Sequence, residues 1–117
     1  MARRARSLSP LGYYSIKLRT DGLEFSKQDR DLFLNTLDSY NGECEILSYL
    51  LTNSAFLFVI KTKEIDISTM MRKITVRFIR AYKKSHPDVA EIFKDRFISI
   101  PATSIDDVFG FIGNIHK

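Results

Sequence analysis

The stretch Ala55-Phe56-Leu57-Phe58-Val59-Ile60-Lys61-Thr62 decides how this chain is read. A strand with one wet face alternates apolar and polar residues, whereas 56–60 is apolar at every position. It is short and rich in aromatic and branched side chains, so it is expected to be a central strand covered on both faces. Thr52-Asn53-Ser54 precedes it, and before that 44–51 reads as a second strand, so the two form a tight hairpin. After it, Asp66 or Ser68 opens a long helix over 67–85 that stops at Ser85-His86-Pro87. Ile67, Met70, Met71, Ile74, Phe78 and Tyr82 recur at helical spacing and form the face turned to the sheet.

The outer segments complete the pattern. Tyr14, Ile16 and Leu18 alternate in a strand over 12–19, and Thr20-Asp21-Gly22 turns the chain. Ser26 caps a helix over 27–40, with Asp29 three residues on. Its apolar face is Phe33, Leu34 and Leu37, and Asn41-Gly42 ends it. Arg96 to Ile100 is the last strand, stopped by Pro101, and Ser104 caps a final helix over 104–116. The order β-α-β-β-α-β-α predicts an α+β fold: a ferredoxin-like sandwich with an antiparallel four-stranded sheet and helices mainly on one face. Residues 1–10 read as a flexible basic arm and residues 11–117 as the domain.

Composition narrows the function. The 117 residues suit one core, and nine Phe and five Tyr supply its bulk. No apolar run approaches the ~20 residues that span a bilayer. Met1-Ala2-Arg3-Arg4 is not followed by a signal-peptide core, and a cytoplasmic location is expected. The net charge of +4 is segregated: residues 1–19 carry +5, residues 20–64 carry −4, residues 65–86 carry +5 and residues 87–117 carry −2. Lys73, Arg77, Arg80 and Lys84 fall at intervals of four, three and four, as a basic stripe beside the apolar face of the long helix. Such segregation marks an anionic partner or, more plainly, a solvated helix face.

Reactive constellations are missing from the sequence. His86 and His116 have no partner at ligand spacing, the single Cys44 makes no cluster, and no glycine-rich phosphate loop occurs. Asp106 and Asp107 open a helix, where they favour its dipole. No cofactor and no metal are expected.

Several blocks resemble one family. The basic start Met1-Ala2-Arg3-Arg4 with Arg6, then Gly12-x-Tyr14 and Leu18-Arg19, is similar to the opening of the single-tyrosine HUH transposases of the REP-associated and insertion-sequence-200-like group. Asp29-Arg30-x-x-Phe33-Leu34 resembles their first helix, and Tyr49-x-Leu51 the approach to their H-x-H strand. Ile67-Ser68-x-x-Met71 with Tyr82 resembles their long helix, Phe93-x-Asp95-Arg96-Phe97 their "hlFqgRF" block, and Asn114-Ile115-His116 the end of "RYIH". From Tyr49 to His116 these blocks run in register without a gap.

In that register the family's metal-binding histidines fall at Ala55 and Leu57, or at Ser54 and Phe56 with a shift of one, and its nucleophilic tyrosine falls at Asn114. The family uses imidazoles to hold a divalent ion and a tyrosine to attack the scissile phosphate. The resemblance therefore implies a catalytically inactive, transposase-related protein that binds hairpin or single-stranded DNA. Arg3, Arg4, Arg6, Arg19, Lys73, Arg77, Arg80, Lys84 and Arg96 are the expected DNA contacts, and Tyr13 or Tyr14 a base-stacking residue. The alternative is a protein-interaction module or homodimer that has given up DNA. An active nuclease with relocated residues finds no metal cluster in the sequence to support it.

Overall fold

The computed structural model describes residues 9–20, 22–89, 91–93 and 97–115, with residues 114 and 115 described by their backbone only. The elements are β1 (Tyr13–Arg19), α1 (Lys27–Asp38), β2 (Cys44–Leu51), β3 (Ala55–Thr62), α2 (Ile67–Ser85), β4 (Ile98–Pro101) and α3 (Ile105–Ile115). The four strands form one sheet in the order β2-β3-β1-β4, and every neighbouring pair is antiparallel. This is the α+β, ferredoxin-like arrangement expected, with β3 and β1 inside and β2 and β4 at the edges. Among the described residues no helix is long and apolar enough to cross a membrane.

Alternation along β1 and β3 sorts their side chains into two layers. Tyr14, Ile16 and Leu18 lie opposite Ile60, Phe58 and Phe56, and all six are buried with the inner faces of α1 and α2. The six apolar positions read from the long helix are the buried residues of α2. Aromatic rings fill the centre: Phe56 stacks on Phe25 and Phe33 at 4.4 and 4.2 Å, with Phe78 edge-on at 5.6 Å. The opposite layer, with Ser48 and Val59 aligned, lies under α3. Val59 and Val108 are buried without joining the α1–α2 core.

Local chemistry sets the element ends. Ser26 and Asp29 form a reciprocal capping box at α1. The carboxylate of Asp66 accepts the Thr69 N–H at 2.8 Å at the start of α2. That bond holds the Asp66 carboxyl below its ordinary pKa, so its stabilising contribution is full at neutral pH and is lost as pH falls through the lowered value. In the β2–β3 hairpin, Thr52 Oγ1 accepts from Ser54 and Ala55 N–H, and the loop carbonyls of Asn53 and Ser54 accept from Phe25 and Thr20. Gly12 has φ 81°, and a Cβ there would stand 3.1 Å from the Thr62 carbonyl oxygen.

Two local expectations are corrected. Helix α1 ends at Asp38, not at Asn41-Gly42, and Gly42 is not left-handed. The Tyr40 carbonyl instead accepts Glu43 and Cys44 N–H and turns the chain into β2. Pro101 does not stop β4 but is its last residue, opposite Tyr14, which an edge strand tolerates. Arg96, the expected start of that strand, lies outside the described residues. So do residues 1–8 of the basic arm; the described chain begins at Ser9, which is buried and donates through its hydroxyl to the Ala102 carbonyl.

Candidate nucleic-acid interface

The outer face of α2 and the end of α1 enclose a groove of about 670 Å³. Arg72, Lys73, Arg77, Arg80 and Lys84 line it, with Tyr40, Val76 and Ala81 between them. The four cations of the expected stripe are thus brought together on one surface. From Lys73 to Lys84 they extend over ~16 Å at 1.5 Å per residue. The stripe follows from α2 burying its apolar face, which leaves the basic face turned outward. Lys73 pairs with Glu43 at 2.9 Å, an exposed contact that partly offsets its charge. The Tyr40 hydroxyl donates to the Lys73 carbonyl at 3.3 Å, and the Arg77 guanidinium lies 5.7 Å from the Tyr40 ring centroid.

Sequence reasoning missed Arg72 and Tyr40. Arg72 stands one turn before Val76 and two before Arg80, so a wider reading of the same face finds it. Tyr40 joins the groove only because α1 packs on α2, and no local pattern signals that.

Arg19 is not part of this groove. It lies opposite Ala55 on the other layer of the sheet, where Lys17 lies opposite Leu57 and Leu50 flanks Leu57 from β2. Ala55 is buried and Leu57 half-buried. Phe56 points into the aromatic core, so of the two pairs weighed from sequence, Ala55 and Leu57 share the layer under α3. Asn114 belongs to α3, which crosses β2, β3 and β1. Arg3, Arg4, Arg6 and Arg96 lie outside the described residues.

The tyrosines do not supply a nucleophile beside Ala55 and Leu57. Tyr14 is in the core and its hydroxyl accepts the Ser9 N–H at 2.9 Å, which rules it out for base stacking. Tyr82 is buried, and burial followed by the Asp29 charge holds its phenol above the ordinary pKa. Tyr49 lies opposite Phe58 on the α1–α2 side of the sheet, and Tyr40 is in the groove. Tyr13 shares the α3 layer but lies opposite Lys61, whose ammonium is 5.2 Å from its ring centroid. Six residues of strand separate Tyr13 from Arg19, about 20 Å at 3.3 Å each.

Burial pushes the Cys44 thiol up to about 11, so it is not a thiolate near neutral pH. His86 stacks on Tyr82 at 4.1 Å and caps α2 through the Tyr82 carbonyl, while His116 lies outside the described residues. Among the described residues no three His, Cys, Asp or Glu side chains gather as a metal would require. The surface also carries exposed apolar residues: Leu50, Ile98 and Ile100 on the sheet, and Ile105 and Phe109 on α3.

No family model and no curated protein matches the sequence. The fold does match solved structures. One is a REP-associated tyrosine transposase bound to a REP hairpin, superposed with a TM-score of 0.79 over 99% of this chain and 71% of that chain, at 13% identity. The four-stranded sheet and three helices of this protein therefore share the fold of that transposase structure.

Proposed function

We propose that this chain is a transposase-related DNA-binding protein that holds single-stranded or hairpin DNA and does not cleave it. The observation that carries the reading is the α2 groove, five cations on one concave surface beside an aromatic ring. Phosphates bind there by charge and counterion release, which sets affinity and not sequence choice. Arg3, Arg4 and Arg6 on the arm of residues 1–10, with Arg96, add to that attraction, whereas Arg19, opposite Ala55 on the other layer, is left out of the groove's contacts. A hairpin is the ligand of the transposase that shares the fold. For inactivity, the support is chemical: Ala55 and Leu57 have no lone pair for a metal, and the amide of Asn114 is a poor nucleophile.

The test uses one labelled DNA hairpin with an unpaired tail, incubated with magnesium or manganese. Retention on a native gel and an intact strand on a denaturing gel are expected. Protein-dependent nicking above a mock preparation would refute inactivity. Absence of retention at low salt would refute DNA binding. It would leave the interaction-module or homodimer reading, which the exposed Ile98 and Ile100 on edge strand β4 favour.

A further inference from the structure

We infer that Tyr40 is a base-stacking residue, and that through it the α2 groove selects unpaired nucleotides over duplex. This rests on the DNA-binding reading above. Cations alone, spread along an exposed helix, would hold single strands and duplexes alike through their phosphates. The groove differs from such a face by having an aromatic ring among the cations.

That ring is held in place. Tyr40 is half-buried against the core, and its hydroxyl is tied to the Lys73 carbonyl at 3.3 Å. Little ordering is then lost when a planar group settles on it. The Arg77 guanidinium lies over the ring, 5.7 Å from its centroid; a base that stacks there takes its place, and the displaced guanidinium, on a flexible side chain, turns to the flanking phosphate. Bases in a duplex are already stacked on one another, so an unpaired base is what offers a free face. Glu43, paired with Lys73 at 2.9 Å, partly offsets that charge, and Arg77 is the groove cation seen at the ring.

Fluorescence anisotropy with a 12-nucleotide oligo-dT, a blunt 12-base-pair duplex and inorganic polyphosphate tests the assignment. The wild-type chain is expected to prefer oligo-dT. Tyr40→Leu should weaken oligo-dT about tenfold, the size of one lost base–aromatic contact. The same variant should leave duplex and polyphosphate affinity unchanged, since neither offers an unpaired base. Tyr40→Phe keeps the ring and should keep oligo-dT binding, which also guards against loss of fold in the leucine variant. Equal weakening of all three ligands by Tyr40→Leu, or of none, would overturn the assignment while leaving DNA binding standing. Failure of the wild-type chain to bind either DNA would refute the underlying reading as well.

Discussion

Phe56→Ala is expected to destabilise the domain by about 3–5 kcal/mol, the cost of emptying a large aromatic site in a packed core. Phe56 is fully buried and meets rings from four other segments: Phe25 before α1, Phe33 within it, Phe78 in α2 and Phe93 after α2. Its loss therefore opens the place where the helix layer meets the central strand. Small domains are stable by only about 5–15 kcal/mol, so the variant should unfold at markedly lower urea and melt more than about 10 °C earlier. Leu57→Ala, one residue on, removes a half-buried side chain on the opposite layer. It should cost less than half as much. Equal losses in urea titrations of the two variants would contradict the division of β3 into an aromatic core side and a more open side.

The double reversal Arg77→Glu, Arg80→Glu is expected to weaken DNA binding about a hundredfold at low salt, from two charged contacts worth roughly tenfold each. The slope of log affinity against log salt should flatten by about two, one per lost phosphate contact. Both residues line the groove, and neither belongs to the buried face of α2, so the fold should survive. Lys27→Glu is the control: its partner is Asp31 on α1, away from the groove. It should change binding little. A double reversal with wild-type affinity and slope, read by anisotropy titration at several salt concentrations, would remove α2 from the interface.

Much of this architecture was legible in the sequence because its segments obey one period at a time. Residues 56–60 are apolar throughout and became an interior strand, and the spacing from Ile67 to Tyr82 matched the buried face of α2. The basic stripe was legible for the same reason, since a helix with a fixed apolar face has a fixed outer face. What failed was chemistry that depends on tertiary contact. Tyr40 could not be seen as a groove residue before α1 met α2, and Tyr14, proposed as a stacking residue, belongs to the core. Arg19 was grouped with the α2 cations by charge alone, yet strand alternation and its pairing with Ala55 put it on the other layer. The end of α1 was misplaced because Asn41-Gly42 is a common stop signal, whereas here the Tyr40 carbonyl makes the turn.

The central claim is that DNA sits in the α2 groove, on the opposite side of the sheet from Ala55 and Leu57. Mapping amide chemical shifts by NMR while oligo-dT is added tests it most directly. Shifts concentrated on residues 72–84 and around Tyr40, with β3 and α3 unmoved, are the predicted result. Shifts centred on Ala55, Leu57 and α3, with α2 silent, would contradict it.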